Sequence, residues 1–409
     1  MSLPALNGLN FFMADVRDGL GPFLGVYLQE RGWGPQDIGL VMTVGGLAGM
    51  MATTPLGAVV DATKAKRAVM IIASIAIIVT SLTMLYVPNL AVTIGAQVVQ
   101  GVAGAVIGPA IAAITLGLVK QAGFARQLGQ NEAFNHGGTM FAALAGGGLG
   151  YVFGLQAVFW FMAAMAVFAI ASALLIPAEA IDHEAARGGE AGSAASGGRS
   201  RSALLLTSAP LLVLASVLML FHLGNGAMLP LLGQAMVARG NGDPSAATAL
   251  TVVVAQLTMI PMALLAAKLA QTRGYWIVFV LALLALPLRG LIAASLPGFW
   301  VLVPVQILDG VGAGLLGVAV PGLVAQILRG SGHFNLGLGA VMTVQGIGAS
   351  LSPTLGGWVA QSYGYGAAFM VLGGVALVAL MLWLVATMLF DGAWAGRERG
   401  KDVVPIGAA

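Results

Sequence analysis

Cysteine is absent from the 409 residues, which excludes disulfides, thiolate metal sites and cysteine nucleophiles. Charge is nearly as scarce. Asp, Glu, Lys and Arg make up 8% of the chain, whereas a soluble domain carries about 25%. So few charges cannot wet the surface of a soluble fold of this size. Hydrophobic residues make up 59% and the mean hydropathy is +0.95, so lipid is the solvent for most of the surface. The formal charge of +3 does not mark a nucleic-acid binder, because the basic residues stand singly between apolar runs. The chain offers no His or carboxylate cluster at metal-ligand spacing and no hydrolase triad, so no metal, cofactor or enzymatic activity is expected. "GVGAG" and "GGGLG" lie inside apolar spans, without a preceding strand or a following Lys-Ser/Thr. They are not nucleotide loops, which excludes ATP-driven transport. The first apolar run carries charges and lacks a basic leader region, so it reads as a retained span rather than a signal peptide.

What the chain has is twelve apolar segments, each near the roughly 20 residues a transmembrane helix needs. They run over 4–28, 37–59, 67–87, 90–119, 128–153, 157–177, 206–236, 246–267, 275–296, 300–328, 335–360 and 366–390. The breaks between them carry turn formers, such as "RGWGPQD", "VPN" and "SLPG". The long polar break "PAEAIDHEAARGGEAGSAASGGRSRS" cannot bury a core and reads as a flexible linker. The expected organisation is an N-terminal six-helix bundle over 1–178, a cytoplasmic linker over 179–204, a C-terminal six-helix bundle over 205–392 and a cytoplasmic tail over 393–409. With the N-terminus placed in the cytoplasm, Lys64, Lys66, Arg67, Lys120, Arg126, Arg187, Arg199, Arg201, Lys268, Arg273, Arg329, Arg397, Arg399 and Lys401 all face that side. Only Arg31 and Arg239 fall in outer loops. That bias sets an inner-membrane, multi-pass topology with both termini cytoplasmic.

The two halves repeat. "QGVAGAVIG" (100–108) aligns with "DGVGAGLLG" (309–317), "LGQNEAFNHGG" (128–138) with "LGAVMTVQGIG" (338–348), and "DGLGPFLG" (18–25) with "NGAMLPLL" (225–232). Two six-helix repeats around a midplane cavity are a transporter architecture.

At this point the chain resembles the major facilitator superfamily over essentially its whole length. The most specific local match is "GAVVDATKAKR" (57–67), where Gly57, Asp61, Lys66 and Arg67 fit the family's loop motif between helices 2 and 3. Ala62 stands where the motif has an Arg and Lys64 where it has a Gly. The equivalent second-half loop, "AAKLAQTRGY", keeps only Lys268 and Arg273. "GASLSPTLGGW" (348–358) in helix 11 resembles the Gly/Pro motif that antiporters of the family carry in helix 5. The resemblance implies an all-α membrane protein of twelve transmembrane helices in two pseudo-symmetric bundles, working by alternating access. It also makes Gly57, Asp61, Lys66 and Arg67 gate residues. Asp61 is expected to meet the N-terminal end of helix 11 at the cytoplasmic side, where free N–H groups favour a carboxylate.

Charges inside the spans are the candidates for chemistry. In "FFMADVRDGLGPFLGVYL" (11–28), Asp15, Arg17 and Asp18 fall with Asn7 and Asn10 on less than half of the helix, at about 100° per residue. Each charge costs about 2.5–3.5 kcal/mol at a helix centre, a cost that an aqueous cavity relieves. Two readings stand: an Arg17 ion pair that locks helix packing, or substrate and proton handling, with Asp18 ranked above Asp15 as the titrating group. Helix 7 carries the counterpart, "FHLGNGAMLP", with His222 and Asn225 beside a bend expected at Gly224, Gly226 and Pro230. His222 is read either as a packing residue or as a titrating one. Glu132 and His136 in helix 5 are read as a gate or loop pair at i,i+4 spacing. Arg289 and Asp309 lie at similar depth in helices 9 and 10 and are read as an ion pair, with a cavity role for Asp309 left open. The expected partners are a small-molecule substrate, protons and the bilayer, with the protein a monomer. The expected function is proton-coupled efflux of a small organic solute, a cationic or zwitterionic one fitting slightly better. Uptake of a metabolite or siderophore-like compound is one alternative. A non-transporting pigment or lipid assembly factor of the same fold is another.

Overall fold

The computed structural model describes residues 2–18, 20–187, 208–240, 242–327 and 334–389. Most of the 179–204 linker and the 393–409 tail lie outside the described residues. So do the side chains of Arg17, Asp18 and Asp61. Among the described residues every extended regular element is a helix: α1 Ser2–Asp18, α2 Leu20–Glu30, α3 Pro35–Ala62, α4 Lys66–Tyr86, α5 Leu90–Phe153, α6 Gln156–Leu174, α7 Ala209–Asn225, α8 Met228–Arg239, α9 Pro244–Arg273, α10 Tyr275–Ser295, α11 Leu302–Ile327, α12 Phe334–Tyr363 and α13 Tyr365–Leu389.

These helices make the twelve expected spans with two kinds of departure. Helix 7 is broken into α7 and α8, separated by a turn at Gly226 and Ala227, while α1 and α2 lie on either side of residue 19, which is outside the described residues. Helices 4 and 5 are the two arms of α5, which meet at a kink where Lys120 leaves helical backbone (φ 55°, ψ −176°). Of the loop expected over 120–127, Lys120 is the break and the second arm begins directly after it. No Pro and no cluster of turn formers interrupts "QAGFARQLG", so the helical ladder resumes at once. Elsewhere the ends follow their caps. Asn89 accepts a hydrogen bond from the Val92 amide at the start of α5. Asp243 accepts from the amides of Ser245 and Ala246 at the start of α9.

Each half has its own core. One hydrophobic cluster runs from Leu6 to Ala186, the other from Leu211 to Trp383. Tyr27 packs on Phe159 and donates its hydroxyl to the Leu85 carbonyl in the first. Trp383 stacks on Phe279 in the second. The outer surface is apolar, with Met388 at 79% and Trp300 at 74% exposure, as lipid contact requires. Eight described helical stretches are long and apolar enough to cross a membrane. The spans that fall short are α1 with α2, α3, the second arm of α5, and α12, all of which pack against the opposite half at some point along their length.

Among the described residues the halves meet toward one end. There α2 packs on α8, α3 on α12, and the second arm of α5 on α9. Glycine permits the closest approaches: a Cβ on Gly39 would collide with the Pro353 carbonyl, and one on Gly357 with the Pro35 carbonyl. Thr43 Oγ1 accepts from the Thr354 amide (3.1 Å) and hydroxyl (2.9 Å), and Tyr365 donates to Gln29 Oε1 (3.0 Å). Toward the other end α1 packs on α5 and α6, and α7 on α12 and α13, each within its own half. Gly57 and Gly339 face open space there. The molecule is thus closed at the end carrying residues 31–34 and 240–243 and parted at the end carrying residues 63–65.

At the parted end the segment after α6 folds back. Ile181 and Ala186 are buried over Gly117, and the Asp182 amide donates to the Gly117 carbonyl. The Ala185 amide, then Lys120 and the Glu184 amide, hold the Asp182 carboxyl below its ordinary 3.8. A depressed carboxyl stabilises its fold at every pH above its unfolded value, and that stabilisation is lost as pH falls through the lowered one. Pepsin cleavage of 178–187 is therefore expected to accelerate only below pH 3.8. Asp182→Asn should cleave at the same rate on both sides of that pH.

Candidate functional site

Helices 1 and 7 carry the site. In the N-terminal half, Asp15 on α1 is 3% exposed, and its Oδ2 has no hydrogen-bond partner among the described residues. Polar amides that helical periodicity alone does not single out hold α1 in place. Gln127 Nε2 donates to Asn7 Oδ1 (2.9 Å) and to Asn131 Oδ1 (3.1 Å), and Asn131 Nδ2 donates to Thr115 Oγ1 (2.8 Å). This chain ties α1 to both arms of α5. Its signal in the sequence is Gln127 and Asn131 at i,i+4 on a helix that also carries Glu132. Glu132 lines a cavity of about 90 Å³ together with Asn10, Asn131 and Asn135. His136 is exposed, and the two make no hydrogen bond with each other.

In the C-terminal half, Arg289, Asn225 and Asp309 come together. Arg289 is 1% exposed; its Nη1 donates to Asn225 Oδ1 (2.6 Å) and Asp309 Oδ1 (2.7 Å). The guanidinium thus fastens the last residue of α7, at the helix 7 break, to α11. Ser352 Oγ accepts from the Ala227 amide on the other side of the break (2.8 Å). Gln306, one turn before Asp309, is fully buried with neither amide atom partnered among the described residues. His222 is not part of this group. Its Nδ1 lies 2.9 Å from the Leu218 carbonyl of its own helix, and its ring packs edge-on to Phe221.

The loop-motif residues do local work. Lys66 is fully buried, and its Nζ donates to the Val60 (2.8 Å) and Thr63 (2.9 Å) carbonyls. A cation at the C-terminal end of α3 is where the helix dipole favours it. Arg67 Nη1 donates to the Ile176 carbonyl at the end of α6. These two residues bind the parted-end termini of α3, α4 and α6 within one half. The expected meeting of Asp61 with the start of helix 11 concerns a side chain outside the described residues.

The family model described as the Major Facilitator Superfamily matches residues 5–297 and 214–403. MFS-type transporters from two strains of Mycobacterium tuberculosis are each 41% identical over 384 residues, 93% of this chain and 92% of theirs. Among solved structures, a mutant of the nucleoside transporter NupG superposes with a TM-score of 0.82 at 15% identity, covering 94% of this chain and 99% of that one. A POT family transporter in complex with 5-aminolevulinic acid gives 0.73 at 12% identity, covering 95% and 96%. The chain is a membrane-spanning, MFS-type transporter and belongs to the major facilitator superfamily.

Proposed function

We propose that the protein moves a small organic solute outward across the inner membrane, driven by the proton gradient, as the two bundles rock about the α2–α8, α3–α12 and α5–α9 contacts. The observation that carries this reading is the one-ended seal. With the N-terminus in the cytoplasm, as the positive-inside bias supports, the parted end is the one from which cytoplasmic solute enters. Alternating access then requires the closed end to open and the parted end to close.

Proton coupling rests on α1. An intramembrane carboxylate whose oxygen lacks a partner is a costly group that a structural role does not need. Among the described residues Asp15 is such a group, and we assign it the proton together with Asp18, three residues further on. Asp309 offers the second half's carboxylate, held by Arg289 and still 20% exposed. In proteoliposomes an imposed pH gradient should drive solute movement in the wild type. Asp15→Asn should lower gradient-driven movement by at least tenfold while leaving solute exchange at equal pH. Gradient-driven movement at the wild-type rate would remove Asp15 from proton handling. Wild-type transport indifferent to the gradient would overturn coupling itself, and accumulation toward the cytoplasmic side would replace export by uptake.

A further inference from the structure

A cavity of about 490 Å³ lies within the N-terminal half, between α1, α2, α3, α4, α5 and α6. None of its described lining residues is charged. Its walls are of three kinds. Glycines 45, 46, 49, 101 and 104 line it on α3 and α5, where Gly45, Gly49 and Gly101 bring the two helices together and Gly104 faces open space; three methionines (42, 50 and 162) supply soft apolar surface, and Gln97 and Gln100 bring amides. The volume is that of a small-molecule site, about 300–1,000 Å³.

The amides form a directed chain. Ser81 Oγ donates to the Met162 sulfur (3.7 Å) and accepts from Gln100 Nε2 (2.6 Å). Gln100 Oε1 accepts from Gln97 Nε2 (2.9 Å), and the same Nε2 donates to the Met84 sulfur (3.8 Å). The two thioethers are acceptors only. Turning both amides round would aim the Gln97 oxygen at the Met84 sulfur and force Ser81 to give up Met162. The two sulfur contacts favour this direction. It leaves Gln97 Oε1 as the terminal acceptor, beside Gly45, where a side chain would cover it. That oxygen makes no hydrogen bond among the described residues.

We infer that this cavity is a solute subsite that takes an uncharged, apolar ring or chain bearing one N–H or O–H donor, received by the Gln97 carbonyl. Gly104 lets the ring approach the backbone of α5, the methionines contact its faces, and the amide chain selects the donor. A site built to receive a donor discriminates strongly against the analogue without one, because the acceptor is then left unpaired. This deepens the transport reading by naming what the N-terminal half holds.

The test is equilibrium binding, which needs neither proton coupling nor a direction of transport. Purified protein in detergent is titrated with indole, phenol and acetanilide, each beside its N- or O-methyl counterpart, and with tryptamine as a cationic congener, while thermal unfolding is followed. The donor-bearing compounds should raise Tm at concentrations at least fivefold lower than their methylated partners, and tryptamine should do no better than indole. Gln97→Leu should abolish that fivefold difference, and Gly45→Ala, which brings a methyl within 2.9 Å of the Gln97 oxygen, should weaken all compounds together. Equal shifts for each methylated pair, a preference for tryptamine, or no shift by any donor-bearing compound overturns the subsite. Failure of gradient-driven transport with the fivefold preference intact would instead remove the coupling and keep the subsite.

Discussion

Arg289→Ala is expected to lower the unfolding stability of the detergent-solubilised protein by about 3–5 kcal/mol, the cost of breaking a buried charge pair from one side. Arg289 is 1% exposed and holds two partners through one nitrogen. Its removal strands the Asp309 carboxylate beside Asn225 and frees the end of α7 from α11. The double Arg289→Ala, Asp309→Ala should lose less than the single Arg289→Ala. The pair Arg289→Met, Asp309→Asn should recover most of the loss, because Arg289 Nε and Nη2 are already unpartnered among the described residues and their desolvation is a cost the wild type carries. Thermal unfolding of the four proteins decides it. Losses that simply add would mean that Arg289 and Asp309 act separately, and Asp309 would then be free for the cavity.

Depth in the membrane makes that pair legible in the sequence. Arg289 and Asp309 each stand about ten residues from the turn at 297–299, and in spanning helices such counting converts directly to height. The same logic yields the repeat, the twelve spans and the break expected in "FHLGNGAMLP", which falls at Gly226 and Ala227. Asn225, which aligns with Asp18 in the repeat, ends α7. Counting fails where the relevant quantity is azimuth or partner choice. Asn7, Gln127, Asn131 and Thr115 come from three spans, and nothing in one helix's periodicity says which amide on a neighbour it meets. The Gln97–Gln100–Ser81 chain is hidden for the same reason, since Gln in an apolar run signals a partner without naming it. The kink at Lys120 shows the opposite limit. A short polar stretch without turn formers reads as a loop of several residues because charge implies water, yet a single residue of non-helical backbone separates the two arms here.

Gly39→Leu is expected to abolish transport while leaving the fold standing. At Gly39 a Cβ would overlap the Pro353 carbonyl, and the facing Gly357 is equally bare against Pro35. Neither contact belongs to either hydrophobic core, since the two clusters lie within separate halves. The leucine therefore penalises only the state in which this end is closed. Overpacking of this kind costs about 1–3 kcal/mol, roughly a 5- to 150-fold shift in a two-state equilibrium. The population should move toward the state open at the 31–34 end, and a cycle that needs both states should stall. The chain's lack of cysteine makes the shift measurable without a background. Thr43 is 5% exposed and hydrogen-bonded to Thr354 across the seal, so Thr43→Cys should react slowly with a membrane-impermeant maleimide added from the outer face. Adding Gly39→Leu should raise that rate at least fivefold, whereas Gly57→Leu, at a glycine facing open space in the closed-end state, should not. Unchanged labelling together with retained transport in Gly39→Leu would mean that the α3–α12 approach is not the seal, and that the α2–α8 and α5–α9 contacts close this end.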